Sequence, residues 1–272
     1  MLHTNKRYTM LQSSVPIGRP QMHDICPAIF ATEPWDGCSD KYRFISTTEV
    51  LDALLKEGFH VYMVGQSTPR AQDKHDYAKH MLRLRRGTDQ TMINGVADEI
   101  VLVNSMDKSS SAIMFAGVFR CVCMNGQIVG NISQEVRIPH RGNKIGDYIE
   151  GAYTIVDQFG EITKHREGMQ QLQLTYDQAE EFAAQASEIR WPKEDQETVH
   201  PTYLLTPHRR EDVAHDLWTV FNVVQENLIR GGVRGRTDKG AYKTIRKVTG
   251  IDQLTNINRK LWDLADQYLE AA

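Results

Sequence analysis

No stretch of the 272-residue sequence approaches the roughly 18 uncharged apolar residues of a membrane span. The opening segment, MLHTNKRYTMLQSSVPIGRPQ, has no continuous apolar core of the kind a secretory signal carries. The expectation is a cytoplasmic protein without a membrane partner. Cysteine is scarce: Cys26, Cys38, Cys121 and Cys123. Cys121 and Cys123 would fall on one side of a strand, a poor disulfide geometry. None of the spacings gives a C-x2-C zinc pair, and HDIC (His23 to Cys26) offers two ligands without two more. The cysteines therefore read as reduced, buried thiols.

Signatures of catalysis are also missing. There is no G-x-S-x-G, P-loop, H-E-x-x-H or kinase set. GGVRGR lacks the strand-before, helix-after context of a dinucleotide fingerprint. The histidines are scattered, and His80, His140 and His208 each stand beside arginine or lysine. The sequence thus leans away from an enzyme and gives no catalytic residue, cofactor or metal site. A metal-dependent nuclease built on His80 or His140 is a remaining alternative, without a carboxylate cluster to support it.

Positive charge, by contrast, is concentrated. LIRGGVRGRTDKGAYKTIRKVTG (Leu228 to Gly250) holds Arg230, Arg234, Arg236, Lys239, Lys243, Arg246 and Lys247 against one acid, Asp238. Seven against one is +6 in a chain of net charge −3, which leaves −9 elsewhere. Such asymmetry points to an anionic partner, and the glycines suggest a loop whose backbone N–H groups approach phosphate.

Hydrophobic content of 40% and charged content of 25% suit a soluble globular chain with a sizeable core. Residues 1–41 hold much of the proline and little periodicity, and read as an irregular arm. STTEVLDALLKEGF opens a helix, with Ser46 and Glu49 in capping-box spacing and Gly58 as its C-terminal glycine. Strand patterns follow: HVYMVGQS, YAKHMLRLRR, EIVLVNS, SAIMFAGVFRCVCMNGQIVG and EVRIPHRG. In YAKHMLRLRR, Leu82 and Leu84 point to one face, Arg83 and Arg85 to the other. Asn125-Gly126 is a hairpin signal.

Helical patterns fill the remainder. One runs from Ile145 to Ile162. A second starts at Thr175 with a Thr–Gln capping pattern. A third has Thr206 as N-cap with Pro207 at its first position, and the last covers DQLTNINRKLWDLADQYLEAA. The class is α+β: an antiparallel β-meander preceded by one helix and followed by a helical C-terminal half. Its divisions are the arm (1–41), a sheet core ending in a long helix (42–173) and a helical region with the basic loop (174–272).

A second basic group lies on the strands. Lys79, Arg83, Arg85 and Arg86 share one strand, and Arg137, His140, Arg141 and Lys144 lie ahead of a helix, whose N-terminus attracts phosphate. Arg120 sits inside an apolar strand and calls for an anion or an exposed face. If the strands adjoin, the sheet presents a basic face, with Tyr77, Tyr148 and Tyr242 as candidate stacking surfaces. Asn104, Ser105, Asp107, Ser109, Ser110 and Ser111 read either as a polar pocket or as a turn fixed by its own side chains.

Several of these segments taken in order resemble the domain of unknown function 932 family, the YfjQ/YafZ-like proteins of bacterial prophages, phages and plasmids. They are YAKHMLRLRR, NSMDKSSSAIMFAGVFRCVCMNGQIVG, HRGNKIGDYIEGAY, DLWTVFNVVQENLIRGGVRGR and VTGIDQLTNINRKLW. The resemblance covers most of the chain from about Tyr42 onward. The family pattern after NS reads histidine, aspartate, glycine, serine, where this chain has Met106, Asp107, Lys108 and Ser109. The resemblance implies a mobile-element protein and supplies no activity, fold or catalytic set.

The leading expectation is a nucleic-acid-binding protein of a mobile element that anneals or recombines single-stranded DNA. Strands followed by a long helix look like the core of Rad52-like and Redβ-like annealing proteins, an analogy of architecture alone. It carries the expectation of a homo-oligomer. The contacts would be Arg83, Arg85, Arg86, Arg120, Arg137, Arg141 and Lys144 from the sheet, and Arg230, Arg234, Arg236, Lys239, Lys243, Arg246 and Lys247 from the loop. The alternative partner is a host protein, bound by an anti-defence or regulatory factor through the acidic remainder.

Overall fold

The computed structural model describes residues 2–5, 8–39, 42, 44–87, 95–120, 125–129, 135–138, 145–192 and 198–272. Its contacts fall into two units, Met1–Phe159 with Thr249–Ile251, and Gly160–Val248 with Asp252–Ala272.

The first unit is built on one antiparallel sheet. Its strands are β1 (Leu2–Asn5), β2 (Tyr8–Gln12), β3 (Phe59–Ser67), β4 (His80–Arg86), β5 (Val96–Asn104), β6 (Ala112–Arg120), β7 (Asn125–Val129) and β8 (Val136–Ile138). They follow one another from β1 to β7, and β8 pairs with the first residues of β6, beyond the reach of β7. The helices are α1 (Arg19–Ile25), α2 (Thr47–Lys56) and α3 (Ile145–Asp157). The α+β class and the meander read from the sequence are both present.

Two local readings change. The N-terminal arm is not irregular: β2 runs along β3 from Tyr8↔Ser67 to Gln12↔Met63, and α1 and a 3-10 turn at Pro27–Phe30 follow. Asn125 and Gly126 are the first residues of β7, opposite Arg120 and Phe119. They follow the β6–β7 connection rather than forming its turn, and residues 121–124, with Cys121 and Cys123, lie outside the described residues.

Period-two alternation gives the sheet two different faces. One carries Leu82 and Leu84 opposite Leu102 and Ile100, and continues to Met114 and Ala116. α2 and α3 cover this face. A Cβ at Gly151 of α3 would lie 3.0 Å from Val136 and 3.4 Å from the Met114 sulfur, so the helix packs directly on β6 and β8. The α2 N-cap is Ser46, whose hydroxyl accepts the Thr48 N–H at 3.2 Å. The other face carries Arg83 and Arg85 of β4 with Glu99 of β5 and Phe119 of β6.

The second unit is helical: α4 (Phe159–Gln171), α5 (Tyr176–Arg190), α6 (Leu217–Arg230) and α7 (Ile251–Glu270). The one helix read across residues 145–162 is two, separated at Gln158. The capping box of α5 forms as expected: Thr175 Oγ1 accepts the Gln178 N–H at 3.2 Å and Gln178 Oε1 accepts the Thr175 N–H at 2.8 Å.

α6 is the axis of this unit, buried from Leu217 to Leu228. It does not begin at Thr206. The N-cap is Asp216, which accepts from the Thr219 N–H at 3.0 Å. Residues ahead of it form 3-10 turns at Pro201–Leu205 and Arg210–Asp212. Phe221 meets Trp262 of α7 edge-on at 6.1 Å, and Gln225 donates to Asn258 at 3.0 Å. Phe182 of α5 meets Tyr268 of α7 at 5.3 Å.

Candidate nucleic-acid interface

The basic stretch is a hairpin, not a loop. From Gly231 to Asp238 burial alternates residue by residue: Gly231, Val233, Gly235 and Thr237 are inside, while Gly232, Arg234, Arg236 and Asp238 are outside. This is the signature of a strand with one covered face. β9 (Arg234–Arg236) pairs with β10 (Tyr242–Thr244) through Arg236↔Tyr242 and Arg234↔Thr244. The turn is closed by Thr237 N–H donating to Ala241 C=O and Gly240 N–H to Thr237 C=O, each at 2.8 Å. The His200 N–H donates to the Arg236 carbonyl at 2.7 Å and anchors β9 from outside the hairpin.

Two of the glycines, Gly231 and Gly235, answer to packing. Gly231 has φ +68°, and a Cβ there would lie 2.7 Å from the backbone of residues 245–247. Gly235 lies against the Tyr203 ring, 2.5 Å from a hypothetical Cβ. With Gly235 turned inward, Arg234 and Arg236 must both point outward. All seven cations, Arg230, Arg234, Arg236, Lys239, Lys243, Arg246 and Lys247, are exposed. Partial desolvation and the charge of Arg230 push the Lys247 ammonium below its ordinary value. Tyr242 is 61% exposed, with the guanidinium groups of Arg234 and Arg236 over its ring at 5.3 and 4.9 Å. Arg236 also donates to its hydroxyl at 3.1 Å.

Beside the hairpin lies a cleft of about 680 Å³, whose lining includes Arg190, Trp191, Tyr242, Lys243 and Arg246. Arg190, the last residue of α5, donates to the carbonyls of Leu228 and Arg246, and so fixes the cleft to the end of α6. Burial pushes it down to about 10, which leaves it charged at neutral pH. Its guanidinium lies 4.7 Å from the Trp191 ring centre. Sequence reading missed both residues. The available signal was IRWP, an aromatic between a helix end and a proline.

The base of the hairpin is held by a carboxylate. Glu226, 2% exposed, accepts two bonds from Arg209 at 2.7 Å and one from Arg230 at 2.8 Å. Burial would raise its carboxyl, but these hydrogen bonds outweigh burial and hold it below the ordinary value. Arg209 also donates to buried Asp212 at 2.8 Å.

The basic residues of the first unit are placed differently. Arg83 and Arg85 are buried, at 3% and 6% exposure, so they do not form an exposed basic face. Glu99, 1% exposed, accepts the Arg83 Nε–H at 2.5 Å on one oxygen and the Arg85 Nε–H at 2.7 Å on the other. Arg85 is sandwiched between Tyr62 at 4.2 Å and Phe119 at 4.1 Å, and its two terminal nitrogens make no hydrogen bond. Arg86 is exposed, 5.6 Å from the Tyr153 ring centre. Arg120 is half-buried at the end of β6, opposite Val96 and Asn125. Arg137 is exposed and pairs with Glu135. His140, Arg141 and Lys144 lie outside the described residues. Tyr148 is a core residue and Tyr77 is half-buried.

His80 and the Asn104–Ser111 segment are both tied into the fold by hydrogen bonds. His80 is fully buried. Its Nδ1 faces the Ala78 carbonyl at 2.9 Å, so that nitrogen carries the proton and Nε2 accepts from the Thr47 hydroxyl at 3.0 Å. Asn104 then donates to Thr47 Oγ1 at 3.1 Å. The Asn104–Ser111 segment is held by its own groups: Ser110 N–H donates to Ser105 Oγ at 2.9 Å, and Ser109 N–H to Asp107 at 3.0 Å. Among the described residues no three His, Cys, Asp or Glu side chains gather around a metal-sized position. Cys26 and Cys38 are free thiols, and no helix of the described residues is long and apolar enough to cross a membrane.

Comparison with known proteins fixes the family. The model described as "Domain of unknown function (DUF932)" matches residues 35–262. UPF0380 protein YafZ and UPF0380 protein YfjQ of Escherichia coli (strain K12) are each 37% identical over 261 residues, which is 96% of this chain and 94% of theirs. No solved structure matches. With most of its length matched, from ahead of α2 to within the last helix, the chain belongs to the domain of unknown function 932 family.

Proposed function

We propose that this protein binds nucleic acid through the phosphate backbone, with the β9–β10 hairpin as the contact surface and single-stranded DNA as the favoured form. In this reading it serves the DNA metabolism of a mobile element, in annealing or recombination, as an oligomer. One observation carries the proposal. The inward turn of Gly231, Val233, Gly235 and Thr237 leaves seven exposed cations around one small hairpin, within a chain of net charge −3. Ordinary solvation calls for a mixture of signs on a surface. Seven cations against one exposed acid, Asp238, on an acidic protein concentrate a polyanion at one place. Arg86 and Arg137 on the first unit are exposed and are secondary candidates for backbone contact. Arg83 and Arg85 are not, because both are committed to Glu99.

The test is fluorescence anisotropy with labelled single-stranded and duplex DNA over a salt series, after copurified nucleic acid has been stripped. Binding through the hairpin weakens linearly in log salt, with a slope of about 0.7 to 0.9 per phosphate contact. Changing Arg234, Arg236, Lys239 and Arg246 together to alanine abolishes it. Absence of binding at low salt, or binding that ignores salt, overturns the proposal and directs attention to a host protein partner.

A further inference from the structure

We propose that the cleft beside the hairpin is a nucleobase pocket, in which Trp191 and Tyr242 receive bases unstacked from the strand whose phosphates the hairpin holds. The inference rests on the nucleic-acid reading above and adds what the protein touches besides the backbone.

A phosphate needs only donors and charge. The cleft measures about 680 Å³, within the few-hundred to thousand Å³ range of pockets that enclose organic ligands. Its lining joins two aromatic residues to Arg190, Lys243 and Arg246, the pairing of π-faces and cations that single-strand binders use. Tyr242 is the informative residue. At 61% exposure it contributes little to the core, and its flanking arginines are themselves exposed. Cation–π contacts between exposed groups stabilise only weakly, a poor reason to leave a large ring in water. Trp191, half-buried at the end of α5, is steadied by Arg190, whose bonds to Leu228 and Arg246 keep it in place. A rigid platform and an exposed ring thus border one opening. Bases inside a duplex are stacked and cannot enter such an opening unless flipped out. The pocket therefore selects single strands. An acidic peptide would satisfy the cations but leave the rings unused.

The experiment compares a labelled oligothymidylate with an abasic deoxyribose-phosphate oligomer of equal length. The proteins are wild type, Tyr242→Leu and Trp191→Phe, each checked by circular dichroism for retained fold. Tyr242→Leu alters an exposed side chain and keeps every charge. The expected result is that wild type prefers the base-bearing strand. Tyr242→Leu should lose roughly tenfold on it, with no loss on the abasic strand and an unchanged salt slope. Indole emission should be quenched by the base-bearing strand, and the quenching lost in Trp191→Phe. Equal wild-type affinity for both oligomers overturns the pocket while leaving backbone binding in place. Binding to neither overturns both.

Discussion

Gly235 lies flat against the ring of Tyr203, leaving a hypothetical Cβ only 2.5 Å from the ring carbons. The contact sets which side of β9 faces inward, and with it the outward direction of Arg234 and Arg236. Gly235→Ala is expected to destabilise the second unit by about 1–3 kcal/mol through overpacking and to weaken nucleic-acid binding although no charge is lost. Tyr203→Ala should recover part of that loss when combined with it. Thermal denaturation of the two single variants and the double decides the matter, since strict additivity would mean that the contact is not the constraint.

Glu99 accepts from two buried guanidinium groups, Arg83 on one carboxylate oxygen and Arg85 on the other. Arg85 lies between the Tyr62 and Phe119 rings, with both terminal nitrogens lacking hydrogen bonds. Removing Glu99 takes from both arginines the carboxylate they share, a loss of about 3–5 kcal/mol. Arg85→Met leaves Arg83 and Glu99 as a neutral pair and fills a similar volume. Urea denaturation should therefore show Glu99→Ala far less stable than Arg85→Met. The reverse order would mean that stacking of Arg85 on the aromatic rings outweighs the shared carboxylate.

His80 gives the first unit a pH dependence. Burial lowers it from 6.5 to about 4, opposed by the Ala78 carbonyl and Asp107. Between those values the unfolded chain binds more protons than the folded one. The histidine therefore costs stability as pH falls from about 6.5 to about 4, by roughly 3 kcal/mol in total. Above that window it costs nothing. His80→Gln should flatten this part of the profile, as read by urea unfolding at about pH 5 and about pH 7. A variant as steep as wild type would place the titration elsewhere.

These elements also show what the sequence could reveal. Leu82–Arg85 announced its alternation, but not that the polar face is as buried as the apolar one. That depends on Glu99 across the sheet and on Tyr62, which sits at the β3 register shift between Val61 and Met63. Thr206 and Pro207 form a sound helix-start pattern, yet Arg209 is drawn into bonds with Asp212 and Glu226, and the helix begins at Asp216. Strands β1 and β2 are short, and β2 is legible only beside β3. In the hairpin the alternation Gly-Val-Gly-Thr against Gly-Arg-Arg-Asp was readable, but glycine-rich composition suggested a loop. The cations were visible from charge alone. Trp191 was not, because its approach to Tyr242 and Arg246 spans more than fifty positions of sequence.

Arg230 should behave unlike its neighbours in the basic cluster. Its Nη1 donates to buried Glu226 at 2.8 Å, so part of its charge is already neutralised before any ligand arrives. Among the described residues, Arg234 and Lys239 have no such carboxylate partner. Under the proposed function, Arg234→Ala and Lys239→Ala should each lower the salt slope of DNA binding by about 0.7 to 1. Arg230→Ala should change the slope much less. It should instead reduce stability, because Glu226 loses a donor and its carboxyl moves up toward the value burial favours. That stabilisation belongs to the ionised form: it is present above the ordinary carboxylate range and is lost as pH falls through the lowered value. The stability difference between wild type and Arg230→Ala should therefore shrink in acid. Slopes from anisotropy and unfolding curves at neutral and acidic pH measure the two effects separately. A full unit of slope lost in Arg230→Ala, with stability unchanged, would mean that the arginine faces the ligand rather than holding the hairpin's base.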